Sequence, residues 1–161
     1  MKTLVFTIIS CAFSITCLGV DEPTVKVISV IDGNTIEILT GDGDRFPLML
    51  KGIDCPDSGQ NHSLEARKFL EELLLNKQVI LTVSGKDRYG NRIGEIRAEG
   101  MTDPRIELIR AGLAWTTETN EEFEGMKEHA RAQGLGLWED EDPTPPWLYR
   151  RQQSMLKAKG S

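Results

Sequence analysis

The side chains able to do covalent or metal chemistry are few in this sequence. His62 and His129 are the only histidines, and both lie in polar helical contexts that read as solvated. Cys55 is the one cysteine beyond the N-terminal twenty residues. A single thiol cannot form an internal bridge and is too little for a cysteine metal site. No spacing signature pairs it with either histidine as a nucleophile, so a partly buried small side chain is expected there. The carboxylates fall at turns. Asp32-Gly33-Asn34 is by itself a hairpin turn, and Asp54 before Cys55-Pro56 can cap a loop. Glu118 to Glu124 reads as a solvated helix start, favourable to the helix dipole, and Glu139 to Asp142 as a surface loop. Arg150, Arg151, Lys157 and Lys159 form the one basic patch, which reads as a solvated tail. Asn61-His62-Ser63 is a glycosylation sequon, meaningful only where exported proteins are glycosylated.

Length and charge bound what these groups can serve. With 161 residues the chain suits one domain rather than two. The formal net charge of −6 opposes what a tight nucleic-acid binder needs, because lysine and arginine must displace counterions from phosphates. Nucleic acid is therefore disfavoured as a high-affinity partner. An acidic enzyme acting on it would require a bound cation and well-placed arginines. Residues 1–20 begin with Met1-Lys2 and continue as an uncharged apolar run to Leu18. That run is short for a membrane span of roughly 20 residues, so a cleaved secretory signal is expected over an uncleaved anchor. Lipidation at Cys11 or Cys17 is the alternative. The mature chain is expected to have no membrane span, to be monomeric, and to be secreted, periplasmic or in the cell envelope.

The elements that must position the polar turns follow from periodicity. Thr24 to Ile31 and Thr35 to Leu39 alternate and are rich in β-branched residues, which predicts a hairpin across Asp32-Gly33-Asn34. The turn Gly41 to Asp44 leads to a third strand, Arg45 to Ile53. Ala66, Phe69, Leu70, Leu73 and Leu74 then make one apolar helical stripe, with Asn61 or Ser63 as its cap and Asn76 as its stop. Strands Gln78 to Ser84 and Arg92 to Ala98 flank the turn Asp87-Arg88-Tyr89-Gly90-Asn91. Asp103-Pro104 opens a short second helix with Ile106, Ile109 and Leu113 inward. A third helix spans about Thr119 to Gln133, and Pro143 to Trp147 is a stiff loop. Three strands, a helix, two strands and further helices predict an α+β, mainly β domain: a five-stranded OB-fold barrel with three helices. The predicted division is a signal over 1–20, the barrel domain over 21–150, and a basic C-terminal tail over 151–161.

The ordered set VISVIDGNT (Val27 to Thr35), KGIDCPD (Lys51 to Asp57), KDRYGNR (Lys86 to Arg92) and ELIRAGLAW (Glu107 to Trp115) resembles the staphylococcal nuclease, or thermonuclease, family. GLGLW and PPW toward the end fit the same pattern, and the resemblance covers roughly residues 24–150. It implies an OB barrel that cleaves phosphodiester bonds of DNA and RNA with calcium. Carboxylates hold the metal, a glutamate is the general base, and two arginines stabilise the transition state.

Carried over residue by residue, those roles meet substitutions. The metal positions are Asp32, Asn34 and Asp54, with uncharged Asn34 where the family's DGDT turn has aspartate. The general-base position is Asp57, one methylene shorter than glutamate, and a displacement of about an ångström can cost around a hundredfold. The two arginine positions are Met49 and Asn91. Donors aimed at a developing charge are worth roughly 10²–10³ each, and comparable arginines in phosphoryl transfer about 10³–10⁵, although such losses need not multiply. Arg45, Arg88 and Arg92 are the neighbours that could stand in, Arg92 foremost. Calcium binding is expected to be weak or absent. The reading that follows is a secreted nuclease-like domain with most catalytic positions substituted, non-catalytic or very weakly active. The alternatives are a metal-dependent endonuclease using Asp32, Asp54, Asp57 and Arg92, and an envelope protein-binding module that uses only the fold.

Overall fold

A computed structural model describes residues 24–98 and 100–160. The expected signal over residues 1–20, with Cys11 and Cys17, lies outside them. Five strands close into a barrel in the order β1-β2-β3-β6-β5: β1 (Thr24–Val30), β2 (Thr35–Leu39), β3 (Arg45–Leu50), β5 (Gln78–Lys86) and β6 (Arg92–Arg97). β1 pairs antiparallel with both β2 and β5, and β3 meets β6 in parallel, Met49 opposite Ile93. Irregularities between Val27 and Ser29 and between Val83 and Gly85 supply the local bending that a small barrel requires. The predicted third strand is interrupted. Gly52, in the left-handed region with φ of 80°, turns the chain after Leu50. A short β4 (Ile53–Asp54) then leaves the barrel and pairs with β7 (Trp115–Thr116).

Alternation places Val25, Val27, Val30, Ile36, Ile38, Leu48, Leu50, Val79 and Ile96 in one core. Helix α1 (Ser63–Leu74) closes one end with Ala66, Leu70 and Leu74, the inward part of the predicted stripe. Its first residue is preceded by His62 in a left-handed conformation that makes no side-chain cap bond, so neither Asn61 nor Ser63 caps it as predicted. Asn76, with φ of 64°, does lie where the helix has stopped. In α2 (Pro104–Arg110) Asp103 caps through its side chain to Arg105 N–H, with Pro104 in the first turn. Helix α3 (Glu121–Ala132) is capped by Asn120 and buries Phe123 and Ala130.

Among the described residues there are four α-helices, one more than predicted. The stiff loop ends at Pro145, and α4 runs through Pro146–Lys159. The expected boundary between domain and tail at 150/151 therefore falls inside a helix. Proline at its start fits the first turn, where an N–H is not needed. The segment reads as a tail because it has almost no apolar stripe to bury: only Pro146 is buried, while Trp147, Leu148, Met155 and Leu156 are exposed. Among the described residues no helix is long and apolar enough to cross a membrane.

Candidate functional site

The polar turns singled out in the sequence converge on one cleft of about 720 Å³ at the end of the barrel where β3 meets β6. Asp32, Asn34, Met49, Asp54, Asp57 and Asn91 all line it, with Lys51, Arg88, Tyr89 and Arg150. Arg92 is not among its lining residues.

Each wall has a local cause. In the β1–β2 turn Asp32 accepts from the N–H of Asn34 at 3.0 Å, and Ile31 donates to the Thr35 carbonyl at 2.8 Å. Asn34 is buried, and its Oδ1 accepts from the N–H of Cys55 at 3.1 Å. The amide thus ties the first turn to the segment carrying Asp54 and Asp57. Gly33 permits that approach: a Cβ there would lie 2.5 Å from Cys55 Cβ and 2.8 Å from Ala66 Cβ. Cys55 is 2% exposed. Burial first, then the charges of Asp32 and Asp54, push its thiol well above its ordinary pKa, so it stays protonated and is no nucleophile.

The β5–β6 turn is organised by Asp87, which accepts from the N–H groups of Tyr89 at 2.8 Å and Asn91 at 2.9 Å and from Asn91 Nδ2 at 2.9 Å. Asn91 therefore spends its side chain on its own turn. The neighbouring Arg92 guanidinium lies over the Phe46 ring at 3.6 Å from its centroid. That stacking places it on the barrel wall, outside the lining of the cleft where it could have stood in for the missing arginine. Arg88 remains at the cleft, 4.7 Å over Tyr89.

Two arginines carry structural consequences that the sequence reading missed. Arg105 is 8% exposed and grips Asp103 with Nε at 3.0 Å and Nη2 at 2.6 Å. It also reaches Glu95 at 3.3 Å and the Lys51 carbonyl at 3.2 Å, bracing the β3–β4 turn that presents Asp54. Burial works to lower its pKa, but bonding and charge from Asp103, then Glu95, outweigh it and hold the guanidinium above its ordinary value. The second is Arg150, read in the sequence as part of a solvated patch. Its Nη2 donates to Asp54 Oδ2 at 2.6 Å, while Nη1 lies 3.3 Å from Asp54 Oδ1 and 3.0 and 3.1 Å from the two Asp57 oxygens. The missed signal was the PPW motif just before it: proline in the first turn starts a helix, which brings Arg150 one turn later onto the carboxylates. Asp57 is nonetheless raised above the ordinary carboxylate pKa, because burial outweighs the lowering effect of Arg150.

The donor set does not fit calcium as it stands. Among the described residues no three His, Cys, Asp or Glu side chains form a group that could hold a metal ion. Asn34 is neutral and its oxygen is engaged by Cys55, while Asp54 and Asp57 are engaged by a guanidinium. Calcium takes six to eight oxygens at about 2.3–2.6 Å.

A closed five-stranded barrel with a polar cleft built from its first hairpin turn, its β3–β4 segment and its β5–β6 turn defines an OB-like, α+β domain. Residues 47–140 match the family described as Staphylococcal nuclease homologue. The chain is 33% identical over 128 residues to an "Uncharacterized endonuclease" of Escherichia coli O157:H7, covering 78% of this chain and 83% of that relative. It is 30% identical over 139 residues to a "Micrococcal nuclease" of Shigella flexneri, covering 78% and 79%. A further "Uncharacterized endonuclease", of Haemophilus influenzae, is 28% identical over 158 residues, covering 96% and 85%. The chain belongs to the staphylococcal nuclease family.

Proposed function

We propose that this protein is an exported nuclease homologue that keeps the family's cleft but has lost most of its phosphodiester-cleaving chemistry. One observation carries the reading: the two arginine positions, Met49 and Asn91, both face the cleft, and neither offers a guanidinium. Phosphoryl transfer depends on positive charge fixed around the transferring group. Met49 contributes a thioether, and Asn91 bonds its own turn through Asp87. The general-base position is also compromised. Asp57 must accept a proton from water within hydrogen-bond reach, yet both its oxygens are bonded to Arg150. What the cleft retains is polarity and three cationic side chains, Lys51, Arg88 and Arg150, beside exposed Tyr89. Lys51 is paired with Glu95 and Arg150 with Asp54 and Asp57, so Arg88 beside Tyr89 is the cation best placed to meet an anion, with a nucleic-acid phosphate as the ligand class the family suggests. Export rests on the apolar run before Asp21. Calcium has no part in this reading, because the residues at its expected position do not fit it.

A second reading, an altered but active endonuclease, is favoured by the relatives named as endonucleases and by the retained Asp32, Asp54 and Asp57. One assay separates the two. The purified protein and the variant Asn34→Asp, Met49→Arg, Asp57→Glu, Asn91→Arg are compared on single-stranded DNA and RNA with calcium or magnesium at saturating millimolar concentration, enough to compete with Arg150. Cleavage only by the restored variant is the expected result. Metal-dependent cleavage by the natural protein, abolished in Asp54→Ala, overturns the first reading and establishes the second.

A further inference from the structure

The basic tail of the sequence delivers a cation to the centre of the cleft. Nη1 of Arg150 is ringed by three carboxylate oxygens, one of Asp54 and two of Asp57, at 3.0 to 3.3 Å, and Nη2 takes the fourth at 2.6 Å. One guanidinium fork thus engages every oxygen of both side chains. The Asp54 side chain is 15% exposed and that of Asp57 is 32% exposed, so their charges are partly screened from water and gain from a fixed counterion.

Helix α4 is otherwise shallowly buried. Pro146 is its one fully buried residue, and Tyr149 and Gln153 are half-buried. Around its first turn Trp147 meets Trp115 edge-on at 5.7 Å, and Gln60 donates to the Thr144 carbonyl at 2.8 Å. Beyond Arg150 the helix exposes Met155 and Leu156. The ion pair therefore both offsets the carboxylate charge at the centre of the cleft and anchors the helix.

We propose that Arg150 is the resident cation of this cleft: it takes the place a divalent ion would need at Asp54 and Asp57, so that metal binding and docking of α4 exclude one another. The reason is geometric and electrostatic. A metal ion needs those oxygens at about 2.3–2.6 Å, where they are already occupied by N–H donors. Two cations within about 3 Å of the same oxygens also repel strongly in a partly buried setting. This rests on the reading of the cleft as altered, and it adds that the alteration includes a replacement for the metal rather than only losses.

The test is calcium titration by calorimetry, without nucleic acid, on the purified protein and on Arg150→Gln and Arg151→Gln. Arg151 is the neighbouring exposed arginine of the same helix, so its variant controls for net charge. Near-ultraviolet circular dichroism of the tryptophans checks folding. The natural protein and Arg151→Gln are expected to bind calcium only in the millimolar range, and Arg150→Gln at least tenfold more tightly. Micromolar binding by the natural protein, or no difference between the two variants, overturns the proposal. Arg150→Lys keeps the charge without the fork and is expected to fall between them; behaviour identical to Arg150→Gln would also overturn it. Because no cleavage is measured, failure here is distinct from failure of the proposed function.

Discussion

Replacing Arg105 by leucine should cost this fold more than any other single arginine. The side chain is 10% exposed, and its guanidinium holds Asp103 through Nε and Nη2, Glu95 through Nη2, and the Lys51 carbonyl through Nη1. It also lies 5.3 Å over the Phe123 ring. Breaking a buried ion pair by removing one partner costs about 3–5 kcal/mol. Here the partners are not fully buried: the side chains of Asp103 and Glu95 are 24% and 36% exposed, and water can relieve part of the loss. The lower end, about 3 kcal/mol, is therefore expected. For a domain of this size about 1 kcal/mol corresponds to roughly 3–4 °C, so Tm should fall by about 10 °C. Chemical denaturation followed by circular dichroism gives the same quantity independently, with an unchanged m-value if the denatured state is unaffected. Arg105→Lys keeps the charge but not the planar fork and should recover less than half of the loss. A destabilisation below about 1 kcal/mol for Arg105→Leu would refute the assignment of a bracing role to this network.

Two further predictions follow from the turns that build the cleft. Cys55 is buried with a raised pKa, so in protein beginning at Asp21 a thiol reagent such as dithionitrobenzoate should leave it unmodified at pH 8 and react once denaturant is added; rapid native labelling of Cys55 would contradict the packing of Gly33, Cys55 and Ala66. The Asp87 carboxyl is held below its ordinary value, chiefly by the Asn91 side chain; desolvation opposes this, and backbone N–H groups of Asn91, Tyr89 and Gly90 add to the lowering. A depressed folded pKa means that its contribution is fully present above the unfolded value of about 3.9 and is lost as pH falls through the lower folded one. Amide signals of Gly90 and Asn91 followed by NMR from pH 6 to 2 should therefore move only at the acid end, and Asn91→Ala should shift that midpoint upward; a midpoint at or above the ordinary carboxylate value would contradict the turn's geometry.

Most of the barrel was legible because its strands are one-sided. Val27, Ile36, Ile38, Leu48 and Leu50 alternate with exposed or half-buried neighbours, and period two admits one burial face. The break between β3 and β4 was not legible, because Leu50 to Ile53 reads as continuous strand and only the positive φ of Gly52 reveals the turn. Asp32, Asn34, Asp54, Asp57, Met49 and Asn91 could be placed in one cleft because their spacing resembles a known pattern. Local rules alone leave each of those turns structural. What escaped were long-range polar contacts. Arg150 meets Asp54 and Asp57 across most of the chain, and Arg105 meets Lys51, 54 residues earlier in sequence. Charged residues on a weakly amphipathic helix give no period to read, and their partners are fixed only when distant elements pack.

The parallel contact of β3 with β6 has a consequence for how the cleft comes into being. Leu48 faces Arg92 and Met49 faces Ile93 only in the closed barrel, whereas β1, β2 and β3 can form as a local meander. Non-local pairing of this kind is slow to form, because the intervening chain must be ordered before the contact rewards it. The wall carrying Met49 and the turn carrying Asn91 therefore come together only when the meander meets the β5–β6 hairpin, and α4 follows them in synthesis. Until that helix docks, the nascent domain presents Asp54 and Asp57 as an uncompensated acidic notch. The order of assembly gives a newly made chain a different electrostatic face from the finished one.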